Sequence, residues 1–292
     1  MRIGALEAGG TKMVCAIGNE KGEILKREVF PTTTPGETMP KMIAFFKEEA
    51  IEALGIGCFG PISPDKESAD YGYITSTPKL AWQNYYIVGE FEKALQCPVG
   101  FDTDVNAAAL GEATYGITKG LKNSIYITIG TGIGVGVLAE GKLLHGMMHP
   151  EAGHILLHRH PADTYEGWCP FHKDCLEGLA AGPALEKRWG AKGDTLTDKA
   201  EVWEMESYYI AQACVNYCMI LSPERIVLGG GVMKQQALLP LVREKFTELL
   251  AGYIRTKEVA DVEHYIVGAS LNDNQGVMGC IGLALQAMRE NG

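Results

Sequence analysis

The sequence lacks three features that would each point to a particular class of protein. It has no charged-then-apolar leader and no uninterrupted apolar run near the roughly 20 residues that a membrane span needs. It has no excess of positive charge, because 26 Lys and Arg stand against 36 Asp and Glu, for a net charge of −10. We therefore expect a cytoplasmic protein with neither a membrane nor a nucleic acid as partner.

The length predicts more than one domain. A chain of 292 residues exceeds what one hydrophobic core usually serves, and its 46% apolar and 21% charged residues are ordinary for a globular protein. Glycine and charge become frequent near residues 116–122. We place the boundary there, giving domains 1–118 and 119–292, with the last helix able to pack back on the first domain.

Glycine-threonine turns occupy similar places in the two halves. One is Gly9-Gly10-Thr11-Lys12, and the other is Gly130-Thr131-Gly132. Glycines 130, 132, 134 and 136 alternate along a predicted strand, which strips one face of side chains and lets a ligand approach the backbone. Lys12 adds a point charge for phosphate. Either loop alone is explained as a plain hairpin, but the pair predicts a phosphate loop on each wall of a cleft.

A third glycine-rich loop, Gly229-Gly230-Gly231, follows a predicted strand. It is consistent with a nucleotide base or ribose resting on a helix start, although alone it is only a turn.

One aspartate is a candidate general base. Phosphoryl transfer to a hydroxyl needs a carboxylate that accepts the proton and orients the oxygen. Asp104 lies between a predicted strand and an alanine-rich helix. The same position suits a helix N-cap, which explains an aspartate here equally well from spacing alone.

Two of the eight cysteines lie close to histidines. Cys169, His172 and Cys175 are regularly spaced, with His154 upstream and a predicted helix over residues 176–189 downstream. Thiolate and imidazole together favour zinc, and a closed four-ligand set is typical of a structural ion. The alternatives are two unrelated thiols in an ordinary loop or a labile disulfide.

Carboxylates flank this cluster on both sides, at Glu151 and Glu177. A rigid metal site would hold the two carboxylates at a fixed separation, which suits the binding of a polyol such as a sugar.

Taken together, the motifs resemble the ROK family of sugar kinases and repressors. Six segments carry the resemblance, in the family's order and over essentially the whole chain: Gly9-Gly10-Thr11-Lys12, Gly57-x-x-Gly60-Pro61, Asp104-Val105-Asn106-Ala107-Ala108, Ile129-Gly130-Thr131-Gly132-Ile133-Gly134, Glu151-Ala152-Gly153-His154 and Cys175-Leu176-Glu177. The resemblance implies the actin/hexokinase-like duplicated ribonuclease-H-type α/β fold, with two domains flanking a cleft.

The resemblance also implies roles for individual residues. Asp104 matches the catalytic base. The expected sugar-binding residues are Gly60, Thr103, Asp104, Asn106, Glu151, His154 and Glu177. The expected ATP-binding residues are Gly9, Gly10, Thr11, Lys12, Gly130, Thr131, Gly132, Gly182, Pro183, Gly229, Gly230, Gly231, Val232 and Met233. The expected metal ligands are His154, Cys169, His172 and Cys175 for a structural Zn²⁺, and Glu7 for the Mg²⁺ that accompanies ATP. The two ring nitrogens of His154 can serve metal and substrate separately.

Three departures from the family pattern favour its bacterial fructokinase branch over the glucokinase branch. Glu7 replaces the usual Asp, Thr103 replaces the usual Asn, and His172 stands within an otherwise cysteine-only zinc knuckle. The predicted reaction is the ATP-dependent phosphorylation of D-fructose to fructose 6-phosphate. The alternatives are a mannokinase, glucokinase or N-acetyl-sugar kinase of the same family, a non-catalytic sugar-responsive regulator, or a zinc-dependent hydrolase.

Two further expectations follow from the resemblance. The chain starts directly with the first strand, so we expect no helix-turn-helix domain of the kind that ROK repressors carry. A homodimer is expected, since dimers are common in the family and the predicted helix over residues 200–222 has an apolar face.

Overall fold

The computed structural model describes residues 1–291, which form two mixed five-stranded sheets, one from each half of the chain. The first half contains, in chain order, β1 (Ile3–Ala8), β2 (Lys12–Gly18), β3 (Ile24–Pro31), α1 (Pro35–Glu48), β4 (Ala53–Cys58), β5 (Tyr73–Ile74), β6 (Tyr85–Tyr86), α2 (Ile87–Leu95), β7 (Val99–Thr103) and α3 (Asp104–Tyr115). The second half contains β8 (Ser124–Ile129), β9 (Ile133–Ala139), β10 (Lys142–Leu143), α4 (Leu176–Ala180), α5 (Gly182–Trp189), α6 (Ala200–Leu221), β11 (Arg225–Gly229), α7 (Leu238–Leu250), α8 (Lys257–Ala260), α9 (Val262–Tyr265), β12 (Ile266–Gly268) and α10 (Gln275–Asn291).

The two sheets repeat one topology. The first has the strand order β3-β2-β1-β4-β7, and the second has the order β10-β9-β8-β11-β12. In each, an antiparallel meander is extended by two strands parallel to its first strand. The parallel strand β4 is buried along its whole length, as strands covered on both faces are. The duplicated fold predicted from the sequence is confirmed.

Helices α3 and α10 form the layer that joins the halves. α10 comes from the end of the chain, yet it packs against α3 and against strands β1, β4 and β7 of the first sheet. The approach is close because glycines line the contact: a Cβ on Gly279 would lie 1.6 Å from the carbonyl oxygen of Ala107. The first sheet ends with β7 at Thr103 and the second begins with β8 at Ser124, and the boundary at residues 118/119 remains our proposal for the domains.

Some of the alternating glycines serve packing rather than ligand approach. A Cβ on Gly136 would lie 2.4 Å from the carbonyl oxygen of Val105, and one on Gly134 would lie 3.2 Å from the Val105 side chain. The absence of side chains at these two glycines therefore allows α3 to pack closely against β9. Gly134 also lines a cavity of about 750 Å³, so the expectation that the bare strand face serves a ligand is wrong for Gly136 alone.

The helix predicted over residues 176–189 is broken into α4 and α5. Ala181 is extended, with φ −71° and ψ 157°, and α5 begins at Gly182 with Pro183 in its first turn. Proline is favoured in the first turn of a helix because a backbone N–H at this position would have no partner within the helix. Separately, no helix within residues 1–291 has the length and apolar character needed to cross a membrane.

The glycine contacts predict a large loss of stability on adding one methyl group. A Cβ on Gly55 would lie 1.7 Å from the backbone oxygen of Cys280 in α10, so Gly55→Ala should cost about 1–3 kcal/mol or more by overpacking. Gly36→Ala is the matched control, because Gly36 lies in α1 with nothing within 4 Å of an added Cβ. Thermal unfolding should show a lower Tm for Gly55→Ala and no loss for the control. Equal Tm values for both variants would contradict this packing.

Candidate active site

Three cavities lie in the cleft between the sheets, and neighbouring cavities have some lining residues in common. The largest, about 930 Å³, is bounded by α5, the start of α6 and the loop after β11. A small one of about 180 Å³ shares Gly231 and Lys234 with it. A third of about 750 Å³ shares Asp104 and Val105 with the small one. The three cavities therefore adjoin one another in a row, with Asp104 in the wall that the last two share.

Asp104 is the first residue of α3. The N-cap of this helix is Thr103, whose Oγ1 accepts a hydrogen bond from the Asn106 N–H at 3.0 Å. Asp104 is therefore not the cap, and the capping explanation of this residue is wrong. Its Oδ1 accepts a hydrogen bond from the neighbouring Val105 N–H at 2.8 Å.

Burial sets the proton affinity of this carboxyl group. Loss of solvent raises the pKa of Asp104 to about 7, with a further contribution from the nearby carboxylate of Glu7. The backbone N–H of Val105 acts in the opposite direction. A pKa near neutrality suits a group that must accept a proton at physiological pH.

The small cavity is rich in acidic groups. It is lined by the carboxylates of Glu7, Asp104 and Asp273, with Lys234 as the cation on its wall. Burial raises the pKa of Glu7, and the charges of Lys12 and Arg27 oppose that shift. Asp273 is paired with Lys234 at 2.8 Å, which leaves the carboxylates of Glu7 and Asp104 as oxygen ligands for a divalent cation.

The cavity of about 750 Å³ brings together most of the predicted sugar-binding residues. Its lining includes Gly60, Thr103, Asp104, Glu151, His154 and Glu177. Glu177 is oriented by the Ile133 N–H, which donates to its Oε2 at 2.9 Å. Its Oε1 lies 4.0 Å from His154 Nε2. The arrangement offers several carboxylate oxygens and imidazole groups to a polyhydroxylated molecule.

Asn106 is placed elsewhere. Its side chain is fully buried, and its Nδ2 donates a hydrogen bond to Asp102 Oδ1 at 2.7 Å. It lies behind the cavity wall rather than on it.

The cavity of about 930 Å³ contains part of the predicted ATP-binding set. Gly130, Thr131, Gly182, Pro183, Gly231 and Val232 line it, and Gly230 lines the small cavity. Gly132 faces Glu177, from which an added Cβ would be 2.7 Å away, and Gly229 packs against the Tyr126 hydroxyl. Met233 follows Val232 in the short 3-10 turn after β11 and does not line these cavities.

The first glycine loop is a tight hairpin. The Gly9 N–H donates to the Lys12 carbonyl oxygen at 2.9 Å, which closes the turn between β1 and β2. Gly9, Gly10, Thr11 and Lys12 lie next to Glu7 but do not line the three cavities.

Several lining residues carry no sequence motif. The large cavity is also bounded by a set on the irregular segment between α5 and α6 and at the start of α6: Lys192, Gly193, Asp194, Thr197 and Trp203. Irregular segments have no periodicity, so only the fold brings the residues before α6 to the cleft, and Trp203 lies at the start of that helix.

The four predicted metal ligands converge. One donor atom from each of His154, Cys169, His172 and Cys175 lies within 4.8 Å of the others. Cys169 Sγ is 3.7 Å from the Nδ1 atoms of both histidines, and Cys175 Sγ is 3.5 Å from His154 Nδ1. These separations match the edges of about 3.5 Å in a tetrahedron built with Zn–S near 2.3 Å and Zn–N near 2.0 Å.

The same arrangement weighs against the two alternatives for this cluster. Both cysteines are free thiols, so the labile disulfide is not formed. Two unrelated thiols in an ordinary loop would not place four soft donors at one point. The residues fit a tetrahedral ion, and His154 Nε2 remains directed towards Glu177 and the adjacent cavity.

Comparison with known proteins identifies similar sequences and structures. The sequence model of the ROK family matches residues 3–287. The chain is 48% identical over 287 residues to a fructokinase of Streptococcus mutans, with 96% of each protein covered. It is 46% identical over 289 residues to a fructokinase of Pediococcus pentosaceus, with 99% of each covered. Among solved structures, a ROK hexokinase from Thermus thermophilus superposes with a TM-score of 0.79 at 26% identity, covering 99% of this chain and all of that one.

Proposed function

This chain belongs to the ROK family, and on that premise we propose that it is a kinase that transfers the γ-phosphoryl group of ATP to the 6-hydroxyl of D-fructose. The full-length similarity to proteins named fructokinase supports fructose over mannose, glucose and N-acetyl sugars. The observation that carries the assignment is the position of Asp104, which lies where the two smaller cavities meet. A sugar-responsive regulator would need no proton acceptor there.

The proposed binding mode follows the path of the cavities. The adenosine part of ATP occupies the cavity of about 930 Å³. Its phosphates pass Gly231 and Lys234 into the small acidic cavity, and the hexose occupies the cavity of about 750 Å³. Asp104 then accepts the proton of the attacking hydroxyl while the oxygen attacks the γ-phosphorus and ADP leaves.

Metal ions complete the proposal at two places. Mg²⁺ bound with ATP would be held near Glu7 and would supply charge neutralisation of the phosphates. A structural Zn²⁺ would be held by His154, Cys169, His172 and Cys175, which fixes the loop between Glu151 and Glu177. His154 would direct Nδ1 to the zinc and Nε2 to the sugar.

Assembly and location complete the proposal. We place the protein in the cytoplasm as a homodimer. Exposed apolar side chains at the ends of α6 and α7 support a contact between copies: Met219, Ile220, Leu249 and Tyr253.

Replacing the proposed base separates catalysis from binding. Asp104→Asn keeps the shape of the side chain and removes the proton acceptor, so kcat should fall by about 10²–10⁴ while fructose affinity changes much less. A coupled assay gives kcat, and calorimetry gives the fructose Kd. Asp261→Asn is the control, since Asp261 is exposed and pairs with the surface residue His264 outside the cleft. Turnover of Asp104→Asn near that of the control would end the catalytic assignment.

The raised pKa of Asp104 predicts an acidic limb in the rate profile. The base acts only when it is unprotonated, and one pH unit below a pKa of about 7 roughly a tenth of it is ionised. kcat at saturating substrates should therefore fall as the pH is lowered through about 7, and the residual rate of Asp104→Asn should lack this limb. A wild-type profile that is flat down to pH 5.5 would contradict the assignment.

The metal cluster predicts a linked loss of zinc and of sugar binding. Replacing both Cys169 and Cys175 by Ser should remove zinc from the purified protein and raise the fructose KM, because the loop that carries His154 loses its anchor. Cys97→Ser is the control, since Cys97 lies outside the cluster. Elemental analysis measures the zinc. A zinc-free double variant with wild-type KM would refute the structural role.

A further inference from the structure

The segment between β10 and the sugar cavity crosses from one half of the molecule to the other. Residues 145–151, which we call the histidine strap, run from β10 to the 3-10 turn Ala152–His154 and end at Glu151. Both flanking elements belong to the second half. Two histidines of the strap nevertheless bind residues of the first half.

The first contact joins His145 to Asp102. His145 Nε2 lies 2.8 Å from Asp102 Oδ2, and the Asp102 side chain is only 4% exposed. The other carboxylate oxygen, Oδ1, accepts hydrogen bonds from the Thr103 N–H at 2.8 Å and from Asn106 Nδ2 at 2.7 Å. The imidazole therefore completes the shell of a buried carboxylate on β7, two residues before Asp104.

The second contact joins His149 to the loop that follows β4. The Ile62 N–H donates to His149 Nε2 at 3.3 Å, and the His149 side chain is 3% exposed. A ring nitrogen that accepts a hydrogen bond carries no proton, so the proton is on Nδ1. Nδ1 lies 3.4 Å from Glu151 Oε1. His149 therefore links the backbone of the first half to the carboxylate that faces the sugar cavity.

We propose that His145 and His149 are positioning residues that fasten the histidine strap to the first half of the molecule, set Glu151 for sugar binding, and make fructose affinity depend on pH through the His145–Asp102 contact. The proposal rests on the proposed role of Glu151 in binding the sugar. It assigns neither histidine a part in the phosphoryl transfer itself.

The sign of the pH dependence follows from the charged groups around His145. The hydrogen bond to Asp102 raises the pKa of His145 above its ordinary value, burial opposes the shift, and the charge of Asp65 adds to it. The contact is at full strength while the imidazole is protonated, and it weakens as the pH rises through that raised pKa. Fructose affinity should therefore decrease on the alkaline side.

The test compares His145→Gln with His264→Gln at pH 6.0 and pH 8.5. Glutamine keeps a donor of similar reach but cannot become charged. His264 is the matched control, because it forms a His–Asp pair with Asp261 at 2.9 Å on the surface, outside the cleft. For the wild type and the control, we expect the fructose KM to rise about three- to fivefold between the two pH values, the size of a weak ion-pair effect. For His145→Gln, the KM should already be raised at pH 6.0 and change little, with the ATP KM unchanged throughout.

Two substitutions at His149 test the second contact separately. The amide of His149→Asn reaches the position of Nδ1 and can donate to Glu151, whereas the amide oxygen of His149→Gln reaches the position of Nε2 and can accept from the Ile62 N–H. Each should restore part of the fructose affinity that His149→Ala loses, with kcat and the ATP KM much less affected. His145 is partly exposed, so its variant remains informative even if the buried His149 variants fail to fold.

The outcomes distinguish this inference from the proposed function. A wild-type enzyme that does not phosphorylate fructose would refute the function. An active wild type whose His145→Gln variant keeps the same pH dependence of KM would refute only the positioning role. Parallel increases in the fructose and ATP KM values would also refute it, because they would indicate a general loss of structure.

Discussion

The close packing of α3 between the two sheets is the constraint on which the rest of the structure depends. The alanines of α3 add little side-chain bulk, and glycines in the neighbouring elements let the backbones approach. Gly279 of α10 packs against Ala107, and Gly136 of β9 packs against Val105. A helix held this tightly cannot shift along its axis without a clash. The N-terminus of α3 is thereby fixed where the two smaller cavities meet, and Asp104 with it.

This placement also determines the electrostatics of the site. A carboxylate at the first turn of a helix would ordinarily be stabilised in its charged form. Burial and the neighbouring Glu7 carboxylate outweigh that effect, so the pKa of Asp104 rises to about 7. A fold that partly buries this carboxylate thus supplies a proton acceptor suited to neutral pH. The same acidic surroundings favour a divalent cation beside the transferred phosphate.

Much of this arrangement could be predicted from short sequence patterns. The two glycine-threonine turns indicated a duplicated fold, and the sheets repeat one topology. The spacing of Cys169, His172 and Cys175 indicated a cluster that the fold assembles with His154. These predictions depend on local spacing, because a turn or a short ligand loop is formed by neighbouring residues.

Other features depend on tertiary contacts and left no local pattern. Spacing allowed Asp104 to be read as the helix cap, whereas the structure has Thr103 in that role. The glycines of β9 suggested ligand approach, although part of the strand admits α3 instead. His145 and His149 stand in no motif, and their partners lie 43 and 87 residues away along the chain. Contacts at such separations are defined by the fold alone.

The central claim is that the cleft aligns ATP, Asp104 and a hexose for phosphoryl transfer, with fructose as the preferred sugar. Its most direct test is kcat/KM for fructose, mannose, glucose and N-acetylmannosamine at saturating ATP and Mg²⁺, with ADP release as the readout. The account predicts sugar-dependent ADP release with the highest kcat/KM for fructose. Release that no hexose stimulates would contradict the catalytic role of the cleft, and a higher value for another sugar would contradict the assignment to fructose.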